Sequence, residues 1–206
     1  MELADALADV LGARRSCRAY LDEPIADHAL GRVLAACRRG PTAGNSWGIE
    51  LLVLSGAEQT SRYWDVTLPG GPRRTGFPWP GLLRAPALIV PTVRPAAYVE
   101  RYAEPDKAGS GLGERAGDWP VPYWWVDAGA AVMAMLMAAT AEGLGSLLFG
   151  TFGGAAAVSA EFGIPAAHEL VGCIALGHAD AAADRPSGSL RRTRPLLDEI
   201  VHRGDW

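Results

Sequence analysis

Four stretches of the chain are predicted to be helices, two of them because hydrophobic positions recur with the helical period. The pattern over residues 3–11 repeats at helical spacing, and so does the pattern over residues 30–37, with Asp27 as its predicted N-cap. Residues 126–142 are longer and rich in Ala and Met, with small or adaptable residues on several faces. This composition predicts a helix buried all round, which in so short a chain implies a partner subunit. A short helix is predicted over residues 155–162.

Four aliphatic runs without helical periodicity predict buried strands. They cover residues 49–54, 87–91, 146–149 and 170–177. Two intervening stretches, residues 66–84 and 103–122, are rich in Pro and Gly and predict long loops. Helices and strands are interspersed with connections of unequal length, so the pattern indicates an α/β or α+β fold with one central sheet between helices. A length of 206 residues suits one domain over residues 1–206.

Composition and charge exclude several functions. Hydrophobic residues make up 49% of the chain and charged residues 20%, the balance of a folded domain. The net charge is -4, so no positive surplus exists to drive nucleic-acid binding. The longest uncharged run, residues 128–141, is shorter than the roughly 20 residues that span a bilayer, so no membrane segment is expected.

The N-terminal residues and the cysteines bear on cellular location. Acidic residues stand where a signal peptide needs a basic start, so we expect a cytoplasmic protein. Cys17, Cys37 and Cys173 form no CxxC pair, and the four histidines are scattered, so neither a disulfide framework nor a metal site is expected. Cys17 is interpreted as a buried spacer within a basic segment, although an exposed thiol there would be reactive.

Two basic clusters are the candidate chemistry of the chain. Residues 14–18 hold three arginines and a serine, a donor set that suits a phosphate monoester, and residues 191–194 hold three more arginines. Each cluster alone is equally consistent with solvated surface charge. Residues 111–117 do not fit the GxGxxG fingerprint and follow no strand, so a dinucleotide-binding fold of that type is not indicated.

Five segments in order resemble the FMN-dependent nitroreductase family. They are Arg14-Arg15-Ser16-x-Arg18-x-Tyr20, Pro41-Thr42-Ala43-Gly44-Asn45-Ser46 before a strand, a long Ala-rich helix ending in Glu142-Gly143-Leu144-Gly145, Leu176-Gly177, and Arg192-Thr193-Arg194-Pro195. Their order and spacing match over nearly the whole chain, and residues 198–202 also resemble the C-terminal segment of the family. The resemblance implies an α+β fold, an α/β sandwich with a central mixed sheet flanked by helices. It further implies a homodimer formed along the long helix, with a C-terminal tail, residues 190–206, extending onto the partner subunit.

The same resemblance implies a flavin mononucleotide (FMN) cofactor at the dimer interface. Carried over by position, the cofactor-binding residues are Arg14, Arg15, Ser16 and Arg18 for the phosphate and ribityl chain, joined by Arg192 and Arg194, then Pro41, Thr42 and Asn45 from the second subunit, and Gly150 beside the isoalloxazine ring. No side chain is implied to be catalytic, because the flavin carries the chemistry. NADH or NADPH would give a hydride to the flavin, and a small electron-poor acceptor such as a nitroaromatic or quinone would then receive it.

The chain departs from the family pattern where Trp47-Gly48-Ile49 replaces the usual Gln-Pro-Trp. Trp47 is therefore a candidate substrate-pocket residue, as are Tyr123, Trp124 and Trp125, of which one Trp is expected to pack in the core. Two alternative functions stay open. One is a specialised flavin-dependent dehydrogenase or reductase of a single biosynthetic substrate, and the other is a non-catalytic flavin-binding protein.

Two carboxyl groups flank the uncharged run of the long helix. Asp127 precedes the run and Glu142 follows it. We interpret Asp127 as the N-cap of this helix and Glu142 as a residue of its C-terminal turn, because neither has a nucleophile or base partner in the sequence.

Overall fold

A single five-stranded sheet forms the centre of the molecule. The computed structural model of the protein describes residues 2–152 and 154–206. The strands are β1 (Ile49–Ser55), β2 (Ala87–Val93), β3 (Gly145–Phe149), β4 (Glu169–Leu170) and β5 (Cys173–Gly177). Their order is β1-β2-β5-β3, with β4 also paired to β2, and all of these pairings are antiparallel. The described sheet is therefore antiparallel rather than the expected mixed sheet, and the parallel contact in this part of the chain is an isolated bridge between Ser16 and Ser146.

Helices lie on both sides of this sheet, so the α+β class is confirmed. They are α1 (Leu3–Ala13), α2 (Asp27–Ala36), α3 (Gly56–Thr67), α4 (Pro72–Thr75), α5 (Pro95–Tyr102), α6 (Tyr123–Ala141), α7 (Ala155–Phe162) and α8 (Leu197–Ile200). The helices predicted over residues 3–11, 30–37 and 155–162 are confirmed, although the ends of the first two differ. Asp27 is the first residue of α2 rather than its N-cap, which is Ala26.

Strand β2 contributes side chains to the hydrophobic core on both faces of the sheet. Every residue of β2 is buried, and successive side chains of a strand point to opposite faces. Leu88 and Val90 pack on the face covered by Tyr63 and Trp64 of α3. On the opposite face the core residues come from α2 and α6, and they pack on Ala87 and Ile89 of β2.

The long helix α6 begins earlier than predicted, at Tyr123, so the aromatic run 123–125 forms its first turn. The prediction that Asp127 caps this helix is wrong, because Asp127 lies inside it and is buried. Glu142 is the C-cap and pairs with Arg32, as a residue of the C-terminal turn. Gly143 follows with φ +70°, the left-handed conformation that commonly ends a helix.

One face of α6 is uncovered in the single chain. Trp125, Val126 and Met133 are exposed, whereas the opposite side packs on α2 and on strands β2 and β3. By length and composition α6 is also long and apolar enough to cross a membrane, and it is the one such helix in residues 2–152 and 154–206. Its contacts with the sheet are those of a core helix.

Two predicted segments differ from the structure, and two helices were not predicted. The strand expected over residues 170–177 is interrupted at Gly172, where φ is +152° and an added Cβ would lie 2.8 Å from the carbonyl oxygen of Phe149. The expected loop 66–84 contains the end of α3, all of α4 and a 3₁₀ turn over Pro80–Arg84. Helices α3 and α5 were not predicted, because the buried face of α3 includes two threonines and α5 has only eight residues.

Candidate functional site

The arginine segment, residues 14–18, lies along the free edge of β3. The Cys17 backbone N–H donates to the Ser146 carbonyl oxygen over 3.0 Å. Cys17 and Ala19 are buried, whereas Ser16 and Arg18 between and beside them are only half-buried. This is the alternation of an extended strand, in which every second side chain faces away from the core. The sequence therefore anchors the segment by small residues and presents its polar side chains outward.

Tyr20 fixes the end of this segment. Its side chain is fully buried, and its hydroxyl donates to the Cys17 carbonyl oxygen at 3.0 Å, with the Ala175 carbonyl oxygen at 3.2 Å. Burial raises the pKa of the Tyr20 hydroxyl well above its ordinary value, so the group remains a donor. Burial also raises the pKa of the Cys17 thiol, which keeps it protonated and unreactive. The interpretation of Cys17 as a buried spacer is confirmed.

A cleft of about 450 Å³ opens beside the arginine segment. Its polar lining includes Arg14, Arg15, Ser16, Arg18, Arg194 and Asp184. The four arginines form no ion pair within the described residues. The acid of the lining, Asp184, accepts the Arg18 backbone N–H at Oδ1 over 2.9 Å and forms no ion pair with these guanidinium groups. The cleft thus has a surplus of forked cationic donors, the arrangement that suits a phosphate group.

Arg192 and Gly150, predicted to contact the phosphate and the isoalloxazine ring respectively, do not line this cleft. Arg192 is exposed in the tail and does not line the cleft, although Arg194 does. Gly150 follows β3 directly, and an added Cβ there would meet nothing within 4 Å, so the space beside it is open. Since β3 rises by about 3.3 Å per residue, roughly 13 Å of strand separate Ser146, next to the arginines, from Gly150.

Aromatic side chains from the segment 66–84 border this side of the molecule. Phe77 packs edge-on against Phe152, with ring centroids 5.4 Å apart, and Phe152 stacks on Phe149 at 5.4 Å. The Arg18 guanidinium lies over the Trp79 ring, 5.7 Å from its centroid. Residues 66–84 therefore connect the arginine cleft to the turn after β3 by an aromatic wall.

The loop of residues 41–48 lies at the opposite edge of the sheet. It leads into β1, which is separated from β3 by three inter-strand spacings of about 4.8 Å. Asn45 and Trp47 have φ angles of +60° and +52°, values that residues with side chains rarely adopt. Thr42 Oγ1 is buried and has no hydrogen-bond partner, while Pro41 and Asn45 are exposed. A single chain does not bring this loop and the arginine cleft together.

The aromatic candidates divide into core and surface. Trp124 is 7% exposed and packs against Tyr98 and Trp119, with centroids 5.9 Å away in each case, so it is the core member. Trp125 is 38% exposed on the uncovered face of α6, and Trp47 is 46% exposed. Tyr123 is exposed as well. No group of His, Cys, Asp and Glu suited to a metal is found in residues 2–152 and 154–206.

Three residues that hold the loop 41–48 are not among the predicted site residues. The Asp127 carboxyl group accepts hydrogen bonds from the Ala43 backbone N–H and the Tyr98 hydroxyl, and the Arg101 guanidinium donates to the Gly44 carbonyl oxygen. The sequence could have indicated the role of Asp127, because it is the only acidic residue in an otherwise apolar helix and a buried carboxyl group requires hydrogen-bond donors. Tyr98 and Arg101 gave no such indication, because helix α5 itself was not recognised.

The fold is an antiparallel sheet between two helical layers, and the arginine cleft lies at the edge of β3. The model of the nitroreductase family matches residues 11–178, most of the chain. The chain therefore belongs to the nitroreductase family. A search of curated protein sequences finds no significant match.

Solved structures show the same fold. A nitroreductase family protein from Clostridium difficile 630 is 22% identical with a TM-score of 0.68, over 96% of this chain and 98% of that one. A protein from Desulfovibrio desulfuricans, solved in complex with FMN, is 22% identical with a TM-score of 0.69, over 97% of both chains. An FMN-dependent nitroreductase from Clostridium difficile R20291 is 20% identical with a TM-score of 0.65, over 96% of this chain and 98% of that one.

Proposed function

We propose that this chain is a homodimeric, cytoplasmic FMN-dependent oxidoreductase that moves a hydride from NADH or NADPH to an electron-poor acceptor such as a nitroaromatic or a quinone. The observation that carries the proposal is the cleft in which Arg14, Arg15, Arg18 and Arg194 face one space without an acidic ion-pair partner among the described residues. Membership of the nitroreductase family, one fold relative solved in complex with FMN and another described as FMN-dependent support the choice of cofactor.

The residues present fit FMN at both ends of β3. The arginines and Ser16 offer charge-assisted hydrogen bonds to a phosphate monoester, and the open space beside Gly150 admits a flat ring close to the backbone. The Thr42 hydroxyl, buried without a partner, is a polar group that a ligand or a second chain would satisfy. When bound, the flavin supplies the two-electron chemistry, and the chain supplies binding, orientation and exclusion of water.

A second copy of the chain completes the site in this proposal. The loop 41–48 lies across the sheet from the arginine cleft of its own chain, so one flavin meets both only where two chains associate. The apolar surface left exposed by Leu3 and Leu7 of α1, by Val126 and Met133 of α6, and by the tail 190–206 is the surface we assign to that contact. Hydrophobic area of this kind is usually covered in the assembled protein.

A spectrum of the purified protein tests the proposal directly. We expect a yellow protein with flavin absorption bands that bleach when NADH or NADPH is added without oxygen, and that recover when a quinone follows. Heat-denatured protein should release the chromophore, and chromatography against authentic FMN and FAD identifies it. A colourless protein that takes up no added FMN would contradict the proposal.

Trp47 favours a second candidate, a specialised dehydrogenase or reductase of one substrate. A bulky residue held at φ +52° and exposed costs about 1–3 kcal/mol of strain, a cost usually met at functional sites. In that case NADH or NADPH would bleach the flavin, but generic acceptors would turn over poorly. A non-catalytic flavin-binding protein would bind FMN and remain oxidised in the presence of both nucleotides.

The variant Trp47→Gly tests whether the indole restricts the acceptor. Glycine adopts φ +52° without strain, so the loop backbone is kept while the ring is removed. We expect kcat/KM for bulky quinones to rise by about tenfold, the scale on which a few pocket atoms discriminate, with FMN affinity and kcat/KM for a small nitroaromatic unchanged. An equal effect on small and bulky acceptors would argue against a pocket role.

A further inference from the structure

A buried carboxyl group on α6 holds the loop that carries Asn45 and Trp47. Asp127 is 4% exposed, and its Oδ2 accepts hydrogen bonds from the Ala43 backbone N–H and from the Tyr98 hydroxyl, each over 2.8 Å. A carboxyl group removed from water is costly unless such donors replace the water. Burial, followed by the hydrogen bond to Asp127, raises the pKa of Tyr98 well above its ordinary value, so its hydroxyl stays a donor.

Two further hydrogen bonds from α5 and its N-cap hold the same loop. The Gly44 carbonyl oxygen accepts from Arg101 Nε over 2.7 Å, and the Gly48 carbonyl oxygen accepts from the Arg94 backbone N–H over 2.7 Å. Tyrosine rings of α5 pack against both glycines so closely that an added Cβ on either would lie 2.6 Å from a ring atom. The backbone is thus fixed at its beginning, near its middle and at its end.

Two residues with positive φ, Asn45 and Trp47, lie between these anchors. Asparagine adopts positive φ comparatively readily, whereas a bulky residue such as Trp47 keeps it only where the surroundings enforce it. We propose that Asp127 is a positioning residue for the cofactor and substrate site: through the Ala43 N–H it holds the loop in the strained form that presents Asn45 and Trp47. The inference rests on the proposed function, because this loop would contact the flavin through Asn45.

The double variant D127L/Y98F removes the anchor while keeping the core filled. Leucine and phenylalanine fill the space of the Asp127–Tyr98 pair, and the Ala43 N–H is the one group that loses its partner in this contact. A role of the pair in packing alone therefore predicts unchanged FMN binding. A positioning role predicts that FMN affinity falls by about tenfold, because loop misplacement is costly for binding and reaction geometry. D127N should rescue the affinity, since its amide oxygen can accept the same two hydrogen bonds.

Tyr102→Phe is the matched control. Tyr102 lies one helical turn beyond Tyr98 on α5, its ring packs on Gly44, and its hydroxyl makes no hydrogen bond within the described part of the chain. Y102F should therefore retain wild-type FMN affinity. Ala43→Pro is the variant to use if D127L/Y98F does not fold, because it deletes the same N–H from the half-buried loop without changing Asp127 or Tyr98, and it should weaken FMN binding in the same way.

Hydrogen exchange of the protein without FMN separates this inference from the proposed function. A peptide covering residues 42–48 should exchange faster in D127L/Y98F or A43P than in the wild type, and at the wild-type rate in D127N and Y102F. Unchanged exchange in the anchor variants would overturn the positioning role even if the wild type binds FMN. If the wild type binds no FMN, the proposed function fails, while the exchange rates still decide whether Asp127 orders the loop.

Discussion

Replacing Arg15 with alanine should weaken FMN binding by about ten- to a hundredfold, since a hydrogen bond to a charged group contributes about 1.5–3 kcal/mol. Arg15 lines the cleft, is exposed and has no ion-pair partner among the described residues, so its removal leaves the core intact. The double variant R15A/R194A should lose more, because the second arginine approaches the same cleft from the tail. Fluorescence quenching of free FMN by the protein measures both dissociation constants.

Riboflavin, which lacks the phosphate, makes this prediction specific. The wild type should bind FMN far more tightly than riboflavin, and R15A should lose affinity for FMN but hardly for riboflavin. Raising the salt concentration should weaken FMN binding to the wild type more than to R15A/R194A, since salt screens the phosphate contacts. R73A, an exposed arginine of α4 without an ion pair among the described residues, is the control and should behave as the wild type. Equal losses for FMN and riboflavin in R15A would place the phosphate elsewhere.

The double variant V126E/M133E should convert the proposed dimer into a monomer and thereby weaken FMN binding. Val126 and Met133 are 52% and 37% exposed in the single chain, and a spacing of seven residues places them on one side of α6. In a two-fold interface each substitution occurs twice, so four carboxylates would be buried or brought together. Burial of an unpaired charge costs several kcal/mol, so we expect the dimer dissociation constant to rise by about a thousandfold or more.

Sedimentation measures the assembly, and flavin titration of the same samples measures its consequence. Q59E is the control, because Gln59 lies on α3, whose exposed side chains are polar, and it should remain dimeric with FMN bound. A V126E/M133E protein that stays dimeric would show that α6 is not in the interface. A monomeric variant with wild-type FMN affinity would show that one chain suffices for the site, against the assignment of loop 41–48 to the second subunit.

Local patterns were enough to predict much of the fold. Aliphatic runs identified β1, β2 and β3, apolar periodicity identified α1 and α2, and the Ala- and Met-rich composition identified α6. Helices α3 and α5 were not predicted. The buried positions of α3, Thr60, Tyr63, Trp64 and Thr67, do follow helical spacing, but two of the four are polar threonines. That this face is buried is therefore decided by the sheet it meets.

In the candidate site, too, local sequence patterns predict some features and tertiary contacts decide the others. The sequence by itself determined the donor chemistry of residues 14–18, because three arginines and a serine within five positions suit a phosphate wherever the chain places them. Only the tertiary structure decided that Arg194 faces the same cleft while Arg192 does not, that Trp124 is in the core while Trp125 is exposed, and that Asp127 holds a loop 84 residues earlier in the chain. These outcomes depend on contacts between distant segments, whose geometry no local spacing records.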